Sequence, residues 1–243
     1  MSSNSFRAPL KAALFAAVAS VALMASPAFA ASLTRGVNNA LAEAQKATNA
    51  GDLAAAKAAV DKARAVSGKT DYDDYMINSV AVTVAVKSQD MPGAATAAEA
   101  AADSPAIPDD QKQATLRTAL ILANNQKHFD KSVVYAKALA ATNPTDQTSQ
   151  TAIIQAYYFH KDYADATAAI QKRLDADKAA GKPVDRGTLQ MMLDIKVGQK
   201  DEAGAELVLE QLVAAFNDPA DWTQMIDVAI SSKGIRDVEV IWL

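Results

Sequence analysis

The feature that most constrains this 243-residue chain is a short segment that returns along it in varied form. The clearest copy is HKDYADATAAI at 160–170, and looser copies read AGDLAAAKAAV, NQKHFDKSVVYA and GQKDEAGAELV. Each copy has a turn-like beginning followed by apolar residues at helical spacing. Self-similarity at a period of about 20 to 50 residues is typical of stacked structural repeats rather than of one compact layered fold.

The copies define the length and the register of the repeat. The residue that follows the turn in each copy gives six anchors: Leu53, Met91, Phe129, Tyr163, Lys200 and Ile235. Successive anchors are 34 to 38 residues apart, so the period is close to 36 residues. Three residues after the anchors stand mostly small side chains, which let two helices approach closely: Ala56, Ala94, Ser132, Ala166, Ala203 and Val238. The next turn of the same helical face carries Val60, Ala98, Ala136, Ile170 and Leu207.

A second helical segment precedes each anchor. The stretches 118–126 and 151–160 have apolar residues at three- and four-residue spacing. Helix starts are indicated at Pro108, Pro144, Pro183 and Pro219, and helix ends at Gly51, Gly198 and Gly234. The segment SVAVTVAV at 79–86 has the β-branched content of a strand, but its place in the period predicts a helix. Each unit is therefore predicted to be a pair of antiparallel helices, and such pairs must stack to bury their apolar faces.

At these positions the chain resembles the tetratricopeptide-repeat superfamily. That family's second helix begins with glycine, aspartate and an aromatic residue, with alanine three places later. Gly51-Asp52-Leu53 with Ala56 and Lys161-Asp162-Tyr163 with Ala166 are similar to this pattern, and Pro144 matches the family's closing proline. Where the family usually places a glycine in the first helix, this chain has Val82, Leu120, Ile154 and Met191. The resemblance covers about residues 33–243 and implies an all-α fold, a right-handed α-solenoid of about five to six stacked antiparallel helix pairs.

The first thirty residues have the layout of a secretory signal peptide. Arg7 and Lys11 precede an uncharged apolar run at 12–25, and the small-x-small pattern Ala28-Phe29-Ala30 follows. A run of about 14 apolar residues is too short for a membrane-spanning helix. It also has no polar face, which argues against an amphipathic helix. The sequence therefore predicts a signal peptide at 1–30, a repeat domain at 31–243 with no transmembrane segment, and export to the periplasm.

Composition excludes several classes of protein. The chain has no cysteine, so it has neither the residue that a lipid-anchored export signal requires nor any disulfide. The formal net charge is −4, and it becomes −6 without the two positive charges of residues 1–30. Because no basic run occurs anywhere, nucleic acid is not an expected partner.

Residues that could carry catalysis are few. The two histidines, His128 and His160, both fall near turns, where a solvated side chain is the simpler interpretation, although a shared metal site is conceivable. TDYDDY at 70–75 lacks the glycine of a calcium loop, so helix capping explains its aspartates. A group of large apolar residues is expected in the core rather than around a cofactor: Tyr157, Phe159, Met191 and Met192. No catalytic residue, cofactor or metal site is predicted.

The resemblance implies a non-enzymatic scaffold that binds a protein or peptide on the concave surface of the solenoid. Groove positions on the first helices map to Gln45, Thr83, Arg117, Asn124, Asn125, Gln155, Tyr158, Met192 and Lys196. Two alternatives remain open: a glycan-cleaving enzyme of the cell envelope, which would need paired carboxylates in a cleft, and the soluble arm of a secretion or outer-membrane assembly.

The sequence GIRDVEVIWL at 234–243 is expected to begin a second helix of a sixth unit. It would leave an apolar end, so the natural chain is expected to continue past Leu243, or else this end docks on a partner.

Overall fold

The computed structural model describes residues 32–142 and 144–231 of the chain. The regular elements in these ranges are α-helices: α1 Arg35–Asn49, α2 Leu53–Arg64, α3 Asp71–Lys87, α4 Met91–Ala102, α5 Asp109–Gln126, α6 Phe129–Ala140, α7 Gln147–His160, α8 Tyr163–Ala179, α9 Arg186–Gly198, α10 Glu202–Phe216 and α11 Pro219–Ser231. The strand-like segment 79–86 lies within α3, so its predicted helical structure is confirmed. The predicted signal peptide and the anchor Ile235, with the apolar residues after it, lie outside the described residues.

Consecutive helices pack as pairs within each of two compact units, Met1–Ala156 and Tyr157–Leu243. In the first unit α1 packs on α2, α3 on α4 and α5 on α6, and each of the second helices α2 and α4 also contacts the first helix that follows it. In the second unit α8 contacts α9, and α10 packs on both α9 and α11. This arrangement of consecutive helix pairs confirms the predicted all-α, tetratricopeptide-like fold class.

One turn geometry joins the two helices of every described pair. The residue two places before the second helix has a positive φ of 58 to 79° in each case: Gly51, Gln89, Lys127, Lys161 and Lys200. The backbone amide of the next residue donates to the carbonyl five residues earlier, at 2.9 Å in all five turns. This hydrogen bond is the one that closes a helix C-terminus in the Schellman motif. The recurring segment in the sequence is therefore a helix end followed directly by a helix start.

Aspartate caps begin the second helices after this turn. The side chains of Asp52, Asp90 and Asp201 each accept a hydrogen bond of 2.9 Å from the amide three residues ahead. Such caps satisfy amides that lack partners inside the helix, and each stabilises it by about 1 kcal/mol.

The predicted register is correct in four repeats and wrong by two residues in the fifth. Helix α10 begins at Glu202, because Asp201 is its cap and Lys200 occupies the left-handed turn position. Ala203 is consequently exposed and Leu207 is 60 % exposed, whereas Ala205 and Leu209 occupy the core positions. The prediction had aligned Gly198 with Gly51, but Gly198 is the last residue of α9.

Small residues fill the helix junctions where the register is correct. The predicted small positions are fully buried, with 0 % exposure at Ala56, Ala94, Ser132 and Ala166. One turn further on, the predicted positions are also buried: Val60, Ala98, Ala136 and Ile170. Because a small side chain at a crossing brings two helix axes close together, these residues set the packing of each pair.

Other local predictions have mixed outcomes. Pro108 is the cap of α5 and Pro219 is the first residue of α11, as expected of prolines at helix starts. Tyr157, Met191 and Met192 are buried as predicted, but Phe159 is 42 % exposed and that prediction is wrong. Two residues correspond to about 200° around an α-helix, so burial of Tyr157 turns Phe159 to the opposite side.

Candidate functional site

The first helices present one recurring set of residues, here called the face positions, which lie 12, 8 and 5 residues before the start of the second helix. Spacings of four and three residues place them on one side of each first helix. The position at eight residues is occupied by Gln45, Thr83, Ile121, Gln155 and Asp194. The position at five residues is occupied by Thr48, Val86, Asn124, Tyr158 and Val197, and that at twelve by Leu41, Ser79, Arg117, Thr151 and Gln190.

In the first unit, neighbouring first helices are joined by polar side chains. The hydroxyl of Tyr75 on α3 and that of Thr115 on α5 are 3.1 Å apart. A guanidinium nitrogen of Arg117 on α5 lies 3.5 Å from a carboxylate oxygen of Asp146, the residue just before α7. These contacts place α3, α5 and the start of α7 side by side.

Arg117 holds the start of α7 through Asp146. The same carboxylate accepts a hydrogen bond of 2.8 Å from the amide of Ser149. Burial alone would raise the pKa of Asp146, but the hydrogen bonds from Ser149 and the charge of Arg117 outweigh it and hold the pKa below its usual value. The charge of Arg117 is thus engaged within the protein, although its side chain remains partly exposed.

Asn124 and Asn125 lie at the end of α5, and they differ in accessibility. Asn124 is 6 % exposed, and its Nδ2 donates to the carbonyl of Ala152 on α7 at 3.2 Å. It is therefore part of a helix–helix contact rather than of an open surface, contrary to its predicted place in a groove. Asn125 is half-buried.

The remaining predicted residues of the first unit all occupy the face position at eight residues. Gln45 is exposed, Thr83 is half-buried and Gln155 is 9 % exposed. The accessible polar part of this face therefore consists of Gln45 and Thr83, with the partly exposed Arg117.

In the second unit Tyr158 on α7 reaches across to α9. Its hydroxyl donates to Oδ2 of Asp194 at 3.5 Å. Burial and the nearby charge of Asp194 raise the pKa of Tyr158, so the phenol is protonated and acts as the donor at neutral pH. Sequence reasoning missed Asp194, although the capping aspartate Asp201 was the signal that would have placed it eight residues before a helix start.

Met192 and Lys196 do not occupy face positions. Met192 is 6 % exposed and belongs to the core. Lys196 is half-buried, and its Nζ lies 2.7 Å from Oδ2 of Asp201, the cap of α10. Both predictions inherited the two-residue error of register in the fifth repeat, and Asp194 stands where the correct register puts the face.

The histidines and the acidic residues form separate local pairs. His128 Nδ1 lies 2.6 Å from Glu99, and His160 Nδ1 lies 3.1 Å from Asp162. The part of the chain that the structure describes contains no group of three or more His, Asp or Glu residues placed to hold a metal ion. Within the same residues, no helix is long and apolar enough to cross a membrane.

Three aspartates, Asp71, Asp74 and Asp103, line an open pocket of about 150 Å³ in the first unit. Asp103 is already bound by Lys131 at 2.7 Å and by the hydroxyl of Tyr135 at 3.1 Å. Asp103 is therefore engaged by two side chains of α6.

Comparison with known proteins supports the fold. No protein-family model and no curated protein sequence matches the chain. Among solved structures, the chain is similar to a tetratricopeptide repeat protein from Parabacteroides merdae ATCC 43184, with a TM-score of 0.50 and 11% sequence identity. The similarity covers 81% of this chain and 73% of that chain. At this identity the likeness establishes the fold alone.

Proposed function

We propose that this chain is a non-enzymatic scaffold of the bacterial cell envelope, and that the face positions of its first helices bind an extended segment of a protein or peptide. Helical repeats hold their first helices side by side, and such rows are well suited to an extended ligand. The observation that carries the proposal is the polar linkage between successive first helices, from Tyr75 to Thr115 and from Tyr158 to Asp194. Within each unit, this linkage keeps the face positions of neighbouring repeats in line.

The chemistry of the accessible face positions supports a peptide ligand. The amide of Gln45 and the hydroxyl of Thr83 can each donate and accept hydrogen bonds, as the main chain of an extended segment requires. Face positions also vary in residue type between repeats, while the packing positions of the second helices stay small or apolar. Such variation on a constant framework suits recognition of successive, different residues of one ligand.

Export is part of the same proposal. The charge-poor run at 12–25 and the Ala28-Phe29-Ala30 pattern support removal of residues 1–30 and a mature protein that begins at Ala31. N-terminal sequencing of the protein recovered from the cell envelope should therefore read ASLTR. Cytoplasmic protein that still carries Met1 in the cell would contradict the proposal of export.

The binding face can be tested with two threonines of the same repeat. Thr83→Arg places a bulky cation on the face of α3, while Thr96→Arg makes the same change at an exposed position of α4. We expect Thr83→Arg to abolish capture of partners from an envelope extract, and Thr96→Arg to leave capture unchanged. Gln45→Arg, at an exposed face position, repeats the test without disturbing a half-buried side chain.

Circular dichroism of each variant checks that its helices are intact. If wild type, Thr83→Arg and Gln45→Arg recover the same partners in equal amounts, the first-helix face is not the binding surface.

A further inference from the structure

We propose that the second unit contains a subsite for the basic side chain of a bound peptide, formed by Asp194 together with Tyr158, Phe159 and Tyr163. The proposal rests on the proposed function, because it names the kind of residue that the bound segment presents to this part of the face.

Three aromatic side chains surround the turn between α7 and α8, and two of them reach α9. The ring of Phe159 meets that of Tyr158 edge-on, with their centroids 5.4 Å apart. Tyr158 contacts Asp194 through its hydroxyl, and the hydroxyl of Tyr163 lies against Gly198, at 3.8 Å from the place of a β-carbon there. Phe159 is 42 % exposed and the two tyrosines are half-buried, so part of each aromatic side chain is accessible, and that of Tyr158 lies beside the carboxylate.

Asp194 forms no ion pair with any residue that the structure describes. The nearest lysine in sequence, Lys196, is engaged with Asp201 at 2.7 Å. Asp194 is exposed by surface area, yet the side chains around it remove part of its hydration, and this desolvation raises the pKa of its carboxyl. The contact with Tyr158 only partly offsets the rise. A partly dehydrated carboxylate without a counter-charge gains from an approaching cation.

The surroundings of Asp194 favour a cation over a neutral or acidic group. Aromatic rings carry negative charge on their faces, so they attract ammonium and guanidinium groups. Besides burial, the charges of Asp165 and Asp162 raise the pKa of the neighbouring Tyr157, so both carboxylates lie near this turn. The basic side chains close to it in sequence are His160, which lies 3.1 Å from Asp162, and Lys161 at the exposed turn position. A lysine or arginine side chain can pair with the carboxylate and is attracted to the rings, whereas a glutamate side chain is repelled by both.

The subsite predicts a charge preference that peptide probes can measure. The probes are three fluorescently labelled peptides with identical Gly-Ser flanks and lysine, norleucine or glutamate at the centre, titrated against the full chain by fluorescence anisotropy. We expect wild type to bind the lysine peptide about tenfold more tightly than the norleucine peptide, and the glutamate peptide most weakly, as a charge-assisted contact beside aromatic rings predicts.

Two isosteric variants locate the preference. Asp194→Asn removes the proposed charge, while Asp227→Asn removes the same charge from an exposed position of α11 in the same unit. The ratio of the affinity for the lysine peptide to that for the norleucine peptide should fall to about one in Asp194→Asn and stay at about ten in Asp227→Asn. Asp194→Asn should also fold at least as well as wild type at neutral pH, because it removes a partly dehydrated charge.

Three results overturn the subsite. Wild type binds the lysine and norleucine peptides equally, wild type binds none of the peptides measurably, or the preference for lysine persists in Asp194→Asn. If any of these results appears while Thr83→Arg still abolishes partner capture, the scaffold function stands and only the basic-residue subsite falls.

Discussion

Asp73 illustrates how a single buried residue ties two repeats together. It has 0 % exposure, and its carboxylate accepts hydrogen bonds from the amide of Thr34 at 2.9 Å, the amide of Thr70 at 2.8 Å and the hydroxyl of Thr70 at 3.0 Å. Burial alone would raise the pKa of Asp73, but these hydrogen bonds hold it below the usual aspartate value. The stability that they contribute is present above the unfolded-state pKa and is lost as pH falls through the lower folded-state pKa.

Replacement of Asp73 by asparagine should therefore destabilise the fold in a pH-dependent way. The NH₂ group of asparagine would face the amides of Thr34 and Thr70, which are also hydrogen-bond donors. We therefore expect a loss of about 1–3 kcal/mol in the free energy of unfolding at pH 7. Urea denaturation at pH 7 and pH 3 measures it, and the difference from wild type should shrink at the lower pH. Asp74→Asn, at an exposed neighbour, is the control and should have a smaller effect. A pH-independent difference for Asp73→Asn would contradict this account.

The small residue three places after the start of each second helix should not tolerate replacement by a larger side chain. Ala166 has 0 % exposure, so Ala166→Leu overpacks a helix junction and should lower the free energy of unfolding by about 1–3 kcal/mol. Ala203→Leu is the matched control, because Ala203 is exposed in α10, and it should change stability by less than about 0.5 kcal/mol. Equal denaturation midpoints for the two variants would mean that the register of these helices is wrong.

At the scale of the helix pair, the left-handed turn residue is a local source of strain. Four of the five described turns have a residue other than glycine there, although this conformation costs such residues about 1–2 kcal/mol. Lys127→Gly should therefore raise the free energy of unfolding by about 0.5–1 kcal/mol, after allowance for the greater freedom of glycine in the unfolded chain.

Lys57→Gly is the control, since Lys57 is exposed within α2 and glycine there should destabilise the helix by about 1 kcal/mol. Urea denaturation should show opposite signs for the two substitutions. A loss of stability of the same size in both would contradict the turn geometry.

The same turns explain which elements the sequence predicts well. Helix pairs are readable because their signals are local: prolines at helix starts, aspartate caps and apolar residues at helical spacing. The fifth repeat was misaligned because Gly198, which ends α9, was matched to the left-handed Gly51, whereas Lys200 takes the left-handed position. The capping aspartate Asp201 is the better guide, because its hydrogen bond to the amide of Gly204 fixes where the helix begins.

The candidate site was predictable to a smaller extent. Arg117, Gln155 and Tyr158 do occupy face positions, because register alone determines them. Their partners could not be predicted, since the contacts of Arg117 with Asp146 and of Tyr158 with Asp194 join residues 29 and 36 positions apart on different helices. Whether a face residue is available to a ligand or engaged within the protein depends on such distant contacts, and Asn124 is an example of the latter.

At the scale of the whole molecule, each described repeat has a first-helix surface and a second-helix surface. Face positions on the first helices are proposed to bind, whereas the outer positions of the second helices are not. The outer side nevertheless carries exposed apolar residues, with Val134 of α6 at 57 % and Leu207 of α10 at 60 %. Both follow the start of their helix by five residues, so each marks an alternative binding surface on its own second helix.

Hydrogen–deuterium exchange of the full chain, with and without the partner captured by wild type, shows which helices the partner contacts. Ligand contact slows amide exchange where it stabilises local structure. Binding by the first-helix face should slow exchange in the first helices α3, α5 and α9, and should change exchange little in the second helices α4, α6 and α10. Protection confined to the second helices, around Val134 or Leu207, would contradict binding by the first-helix face.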